Sequence, residues 1–304
     1  MSLPRSILPG ATYLLTRRVL RRHLLLRPDA VVTNLIIYAL AVSAQRFGIQ
    51  VHALCAMSTH VHLVVTDERG VLPKFLAFFH RIVALGTKVL RAWEGPLWDH
   101  EPTSAVRLMT REAIVEKIAY TLANPVAAGL TRRASEWTGA KVLVDELGGG
   151  VLRASRPGVY FDPNNPAWPA EVSLEVSSPP GIGVGEVEDF RRLVAEELAR
   201  EEAKASPQPS EARVLGAERA ESVSPYERAT SFEPLRALNP TFAVGRGSKD
   251  AWQRAAAGVR AFRAGYRAAL AQWCEGVRDV LFPEGTWWMR VFHGARVCSA
   301  VHAA

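Results

Sequence analysis

The sequence predicts an α+β fold of the ferredoxin-like (RRM-like) type, an antiparallel sheet with helices on one face, followed by a mainly helical C-terminal extension. Strand and helix patterns alternate over the first 141 residues in the order β-α-β-β-α, and one further helix follows. Two later segments, 186–204 and 249–281, have the residue spacing of helices. With 304 residues, the chain is long enough for one large or two ordinary domains with a full hydrophobic core.

The elements of the N-terminal part each have a local signal. Gly48 is placed to stop the first helix, and Thr110 is placed to cap the third, with Glu112 in a first turn where a carboxylate suits the helix dipole. Short apolar runs bounded by turn residues predict the strands. These signals predict strands at 11–19, 50–57 and 61–66, a turn at 58–60, and helices at 31–47, 72–93 and 110–123.

The rest of the chain divides by composition. Gly- and Pro-rich stretches predict loops, a stretch rich in Glu and Arg predicts an exposed helix, and a polar stretch that contains proline predicts a linker. The expected organisation is a first domain at 1–145, a loop-rich connection at 146–185, a charged helix at 186–204, a flexible linker at 205–248 and a helical C-terminal segment at 249–304.

Positive charge is concentrated in the first half of the chain. The net charge is +7, but residues 1–141 hold 18 Lys and Arg against 9 Asp and Glu, whereas residues 142–248 hold 11 against 17. A basic domain favours an anionic partner such as nucleic acid. Candidate phosphate contacts, with a solvated basic loop as the alternative, are Arg17, Arg18, Arg21, Arg22 and Arg27.

The cysteines and the N-terminus indicate the cellular setting. Three cysteines, far apart and odd in number, predict neither a disulfide framework nor a cysteine zinc cluster. Residues 1–5 lack the apolar core of a secretory signal, and no apolar run approaches the ~20 residues that span a bilayer. We therefore expect a reduced, cytoplasmic protein with no membrane partner.

The most informative stretch is a pair of histidines, His60 and His62. Side chains alternate along a strand, so both imidazoles project from one face of the sheet and can bind a single metal ion. The alternative, which is more frequent for an arbitrary pair of this spacing, is that the histidines fill a half-buried sheet face.

The helix predicted at 110–123 carries a second polar group. Tyr120 and Asn124, four residues apart, lie roughly opposite the apolar stripe, and Lys117 precedes the tyrosine by three residues. An asparagine oxygen can serve as a third hard ligand, and a phenol one turn away can be held at a metal-activated phosphate. The alternative is a partly exposed tyrosine and an asparagine that ends the helix before Pro125.

Together these motifs resemble the HUH-type single-tyrosine transposases, specifically the REP-associated tyrosine transposase branch. The histidine motif reads MSTHVHL at residues 57–63, although the family usually has Pro-Asn where this chain has Ser-Thr. The more specific motif, Y-x-x-x-N-P-V-x-x-G-L, reads YTLANPVAAGL at residues 120–130. The resemblance extends over about residues 10–141, under half of the chain, and would make the first domain the catalytic one.

The resemblance implies an enzyme that nicks and rejoins single-stranded or hairpin DNA with the help of Mg²⁺ or Mn²⁺. His60, His62 and Asn124 would hold the metal, and Tyr120 would attack the scissile phosphate to give a 5′-phosphotyrosine link and a free 3′ hydroxyl. Such a link stores the phosphodiester energy, and the sequence has no phosphate-binding loop for ATP. Lys117 is a candidate for catalytic support, with a solvated surface lysine as the alternative. The sequence leaves open whether the protein is a homodimer and which DNA it recognises.

Two other functions are open at this point. One is a catalytically silent protein of the same fold that binds single-stranded DNA, and the other is a metal-dependent phosphodiesterase in which water attacks the phosphate. His52 is expected to have a structural role. An aromatic group near the C-terminus is expected to pack against a neighbouring helix rather than to stack on bases: Trp287, Trp288 and Phe292.

Overall fold

The structure, a computed structural model, describes residues 4–205, 214–231 and 240–299. The elements of the N-terminal part are β1 (Ala11–Arg18), α1 (Ala30–Phe47), β2 (Ile49–Met57), β3 (His60–Asp67), α2 (Leu72–Leu90), β4 (Ser104–Leu108) and α3 (Arg111–Ala127). The later elements are β5 (Val151–Ser155), β6 (Glu171–Glu175), α4 (Val187–Ala205), α5 (Ala217–Ser222), β7 (Phe242–Ala243), α6 (Lys249–Cys274), β8 (Leu281–Phe282), α7 (Trp287–His293) and β9 (Arg296–Val297).

The central sheet has the strand order β2-β3-β1-β4-β7. β3 pairs antiparallel with β1 and β2, and β4 pairs antiparallel with β1, whereas the short β7 runs parallel to β4. The chain order β1-α1-β2-β3-α2-β4, with β1 and β3 at the centre, is the ferredoxin-like arrangement. The predicted fold class is therefore confirmed, and β4 is a strand that the sequence pattern did not predict.

Helices α1 and α2 pack against each other and against the sheet. The Asp29 carboxylate caps α1 by accepting from the Val32 amide at 3.0 Å, and α1 ends, as predicted, at a left-handed Gly48 with φ 66°. A Cβ on Gly86 of α2 would lie 2.7 Å from Leu35 of α1, so glycine is what allows these helices to approach closely. α1 has the length and apolar composition of a membrane span, but half of it is buried inside the fold, and a buried core helix has the same composition.

Helix α3 begins as predicted and ends later. The Thr110 side chain accepts from the Ala113 amide at 3.2 Å and caps the helix. The helix does not end before Pro125 but continues to Ala127. Proline cannot donate to the Thr121 carbonyl four residues earlier, and the Asn124 side-chain nitrogen lies 3.4 Å from that oxygen. This asparagine therefore helps the helix to pass through the proline.

The expected loop-rich connection contains an antiparallel hairpin of β5 and β6. Each strand has only two buried positions, and the shortness of this alternation is why the pattern did not predict the pair. The hairpin lies against α1, where the Asn34 amide donates to the Ser155 carbonyl at 2.8 Å and the Tyr38 hydroxyl donates to the Pro169 carbonyl at 2.8 Å. The charged helix is present as α4, whose buried Phe190 joins the main core.

The segment expected to be a flexible linker is in contact with the first domain wherever the structure describes it. The Tyr226 hydroxyl donates to the Arg91 carbonyl at 2.6 Å, the Ala229 amide donates to the Arg22 carbonyl at 3.0 Å, and β7 extends the sheet beside β4. Residues 206–213 and 232–239 of this segment lie outside the described residues. The segment after it is mainly helical, as predicted.

Candidate active site

The two histidines lie on the same face of β3, as the alternation of side chains predicts. Their ring centroids are 4.6 Å apart, with the ring planes at 89°. The turn before them is shorter than expected, because His60 is already the first residue of the strand and pairs with Met57 of β2. β3 lies between β1 and β2, so the pair is held at the centre of the sheet and not at an edge.

Two threonine hydroxyls fix the orientation of the imidazole rings. The Nδ1 atom of His62 lies 2.9 Å from Oγ1 of Thr16, its pairing partner on β1, and the Nδ1 atom of His60 lies 2.9 Å from Oγ1 of Thr59. When one ring nitrogen is held by a hydrogen bond, the other, here Nε2, is the one that faces a metal ion. The sequence analysis did not find these threonines, although the register of β1 against β3 would have indicated Thr16.

Helix α3 brings Tyr120 to the histidine pair. The Tyr120 and His62 ring centroids are 5.6 Å apart with the planes at 84°, which places α3 on the face of the sheet that carries the histidines. Lys117 Nζ lies 5.5 Å from the centroid of the Tyr120 ring, within the range of a cation–π contact. Tyr120 and His60 are half-buried, whereas His62 is only 3% exposed. The structure thus brings together four of the predicted site residues.

Asn124 lies one helical turn beyond Tyr120 and is buried. Its side-chain nitrogen donates to the Tyr120 carbonyl at 2.7 Å, so the amide group is anchored to its own helix and its oxygen is the atom with ligand chemistry. Among the described residues, no cluster of three or more His, Cys, Asp or Glu side chains could hold a metal ion. A metal at the histidine pair would therefore take its remaining ligands from other groups, such as an amide oxygen, water or a phosphate.

His52, on the same face of the sheet, is a core residue. It is fully buried, its Nδ1 donates to the Ser177 carbonyl at 2.8 Å, and its Nε2 lies 2.7 Å from Thr66 Oγ1. A carbonyl only accepts, so Nδ1 carries the proton and Nε2 accepts from the threonine. Burial lowers the pKa of His52 to about 4, and the hydrogen bond to Ser177 raises it by a smaller amount. The neutral ring therefore has a structural role.

Three of the predicted DNA-binding arginines bind groups of the protein itself. Arg17 donates to the Asp99 carbonyl at 3.1 Å and to the Glu101 carbonyl. Arg22 donates to Ser231 through two nitrogens, at 2.6 Å to the carbonyl and 2.7 Å to the hydroxyl. Arg27 pairs with the Asp29 carboxylate at 3.2 Å. These contacts give the three guanidinium groups a structural role.

The other two arginines of the stretch have different positions. Arg18 is directly opposite His60 in the β1–β3 register, and directly opposed residues of an antiparallel pair place their side chains on the same face. Arg21 is exposed and has a φ of 50°, in the left-handed region. Of the five arginines, Arg18 is the one that the strand register places beside the histidine pair.

The C-terminal aromatic group is divided in its exposure. Trp287 is 9% exposed, whereas Trp288 and Phe292 are 58% and 56% exposed with ring centroids 4.2 Å apart. These two rings therefore face solvent as a pair, which differs from the expected packing against a helix.

Part of the chain is similar to two solved structures, at low sequence identity. No protein-family model and no curated protein matches the chain. Among solved structures, a REP-associated tyrosine transposase bound to a REP hairpin is 14% identical with a TM-score of 0.41, and the match covers 48% of this chain and 84% of that one. A structure described as "a putative transposase from Deinococcus radiodurans R1" is 22% identical with a TM-score of 0.28, covering 35% and 85%.

Proposed function

We propose that the protein is a metal-dependent single-tyrosine transposase, which nicks and rejoins single-stranded or hairpin DNA through a 5′-phosphotyrosine intermediate. The observation that carries this proposal is the contact series from Lys117 through Tyr120 and His62 to His60. It combines an oxygen nucleophile, a nearby cation and two imidazoles that threonines orient. A histidine pair that only filled a sheet face would need neither the tyrosine nor the lysine beside it.

His60 and His62 would hold Mg²⁺ or Mn²⁺ through their Nε2 atoms, and Asn124 would add its amide oxygen. When bound, the metal polarises the scissile phosphate and neutralises part of its charge. The two Nδ1–threonine bonds support this assignment, because metal-binding histidines usually have the second nitrogen held by a hydrogen bond. We place this activity in the cytoplasm, in accordance with the reduced cysteines.

In the reaction, the Tyr120 hydroxyl oxygen attacks the phosphorus and loses its proton to solvent. The bond from phosphorus to the 3′ oxygen breaks, and that oxygen takes up a proton to become a 3′ hydroxyl. The 5′ phosphate remains on Tyr120, and attack by a 3′ hydroxyl reverses the step and joins the strands. Lys117, close to the ring, would offset negative charge on the phosphate, and Arg18 beside His60 is placed to contact the phosphate backbone.

A covalent-trapping experiment tests the proposal. The full-length protein is incubated with Mn²⁺ and a pool of labelled hairpin DNAs, next to Tyr120→Phe and His60→Ala. We expect an adduct that survives denaturation, maps to Tyr120 by peptide mass spectrometry and is absent from both variants. His23→Ala is a matched control, because His23 is a buried histidine bound by the Tyr226 carbonyl and the Arg228 side chain and is not one of the predicted metal ligands.

The alternatives give other outcomes. Cleavage that persists in Tyr120→Phe would replace the tyrosine nucleophile with water and favour the phosphodiesterase. Binding without cleavage across a diverse hairpin pool, equal in the wild type and in Tyr120→Phe, would favour a protein that only binds DNA.

A further inference from the structure

A large groove lies on the opposite face of the sheet from the histidine pair. It is a groove of about 810 Å³ between α6, the segment at residues 4–8 and the edge of the sheet at β4 and β7. Tyr13 and Arg107, which pair across β1 and β4, line its floor. Tyr13 is three residues before Thr16 on the same strand, so the two side chains point to opposite faces. The groove is therefore separate from the candidate active site.

The groove is strongly basic. Among the described residues that line it, the charged side chains are a single carboxylate, Glu284, and four arginines: Arg5, Arg107, Arg254 and Arg263. None of these arginines forms an ion pair with a carboxylate within the described part of the chain. This differs from the N-terminal stretch, where Arg17, Arg22 and Arg27 are bound to groups of the protein.

Two of the groove arginines, Arg5 and Arg263, lie close enough for their charges to repel, and neither forms an ion pair with a carboxylate in the described part of the chain. The Arg263 Nε atom is buried and has no hydrogen-bond partner. Burial and the positive charge of Arg263 lower the pKa of Arg5, whose guanidinium donates to the Thr103 carbonyl at 2.8 Å. Cationic groups placed together in a groove and left without a carboxylate are complementary to an anion.

The walls of the groove are apolar and partly aromatic. α6 presents small residues at helical spacing, Ala251, Ala255 and Gly258, which leave the space open, and Phe242 and Phe262 line it from β7 and α6. Aromatic faces beside guanidinium groups suit the bases and phosphates of a single nucleic-acid strand, because bases stack on the rings while arginines bind the backbone. An apolar peptide would use the walls but leave the four cations uncompensated.

We propose that this groove binds single-stranded DNA. It would be a second contact for the DNA that flanks the nucleotides held at Tyr120. This inference rests on the proposed function for the identity of the polymer. The strand would pass round the β7 edge of the sheet to reach the histidine face. Binding here would lengthen the recognised DNA without taking part in the chemistry.

The test measures binding separately from cleavage. Full-length protein is titrated in EDTA with a fluorescein-labelled oligodeoxythymidylate, and the anisotropy is followed over a series of NaCl concentrations. The variants are Arg254→Ala, Arg263→Ala and the double variant. The control is Arg260→Ala, which removes the same charge from an exposed position of α6 that does not line the groove.

We expect the slope of log K against log[NaCl] to become shallower by about 0.7 for each groove arginine removed, since each single-strand phosphate contact contributes about that much. Arg260→Ala should keep the slope of the wild type. Arg254 is exposed, so Arg254→Ala remains informative if Arg263→Ala fails to fold, which thermal melting shows.

The outcomes separate this proposal from the proposed function. Groove variants that bind like the wild type and like Arg260→Ala would overturn the groove proposal, whether or not the adduct at Tyr120 forms. Groove-dependent slopes without any adduct would support the groove and contradict the transposase chemistry.

Discussion

His52 and His62 lie on the same face of the sheet and are both buried, yet their surroundings differ in kind. His52 has both ring nitrogens bound by fixed partners, the Ser177 carbonyl and the Thr66 hydroxyl. His62 has one nitrogen oriented by Thr16, and its ring touches both His60 and Tyr120. Burial therefore does not distinguish the two histidines, and the role proposed for His62 rests on its ring contacts with His60 and Tyr120.

The largest effect that this comparison predicts is at His62. Removing one of two imidazole ligands in His62→Ala should lower the Mn²⁺ affinity by more than ~100-fold, beyond the 10–100-fold typical of losing an outer hydrogen bond. Isothermal titration with Mn²⁺ measures the affinity without any substrate. Retained affinity in a folded His62→Ala protein would show that the histidine pair is not a metal site.

The reverse pattern is expected at His52. His52→Ala leaves a cavity and removes one of the two partners of the Thr66 hydroxyl and a donor to the Ser177 carbonyl, so the free energy of unfolding should fall by about 3 kcal/mol. Urea unfolding followed by circular dichroism measures the loss. The folded fraction should bind Mn²⁺ like the wild type, and a selective loss of metal affinity would instead place His52 in the site.

Two histidines with lowered pKa values, His52 and His80, also predict a pH dependence of stability. The folded-state pKa of His52 is about 4, below the ordinary value near 6.5, so between these values the unfolded chain takes up a proton that the folded protein does not. Stability should therefore fall as the pH decreases from about 6.5 to about 4, by about 3 kcal/mol from His52. Burial and then the Arg17 charge lower the pKa of His80 to about 3, which acts in the same direction.

Denaturant unfolding at a series of pH values, compared between the wild type and His52→Gln, isolates the part due to His52. The variant should have a shallower dependence above pH 4 and keep the part due to His80. Identical curves for the two proteins would mean that His52 is solvated in the folded state.

The fold and the centre of the site were predictable because local signals carried them. The β-α-β-β-α order, the Thr110 cap and the Gly48 stop are properties of neighbouring residues, and the structure has all three. The spacing of His60 and His62 likewise dictates a shared face once the strand is known. The metal ligation and the nucleophilic role of Tyr120 remain predictions.

Other features depend on contacts between distant parts of the chain, which one sequence does not reveal. In the sequence, Arg22 and Arg27 look like part of a basic loop. In the structure they donate to Ser231 and Val223, which lie about 200 positions later in the chain. Asn124 could be recognised as a support for a helix through Pro125 only when the helix was seen to continue. The groove arginines come from the N-terminal segment, β4 and α6, and no local pattern joins them.

The smallest predicted effect concerns the Thr16 hydroxyl, the hydrogen-bond partner of His62. Thr16→Val keeps the shape of the side chain but removes the hydroxyl at 2.9 Å from Nδ1 of His62, so the ring loses its fixed orientation. We expect the Mn²⁺ affinity to fall by about 10–100-fold, as for other outer partners of metal-binding histidines. Thr16→Ser retains the hydroxyl and should restore most of the affinity.

A role of Thr16 in stability alone would give a different result. Both substitutions would then change the unfolding free energy, and the Mn²⁺ affinity of the folded protein would be the same in both. Thr12 provides the matched comparison, because its hydroxyl lies 2.8 Å from Thr66, at the structural end of the same face. Thr12→Val should lower stability and leave the metal affinity unchanged. Comparing it with Thr16→Val therefore decides whether metal affinity depends on the hydroxyl bound to His62 or only on burial at this face.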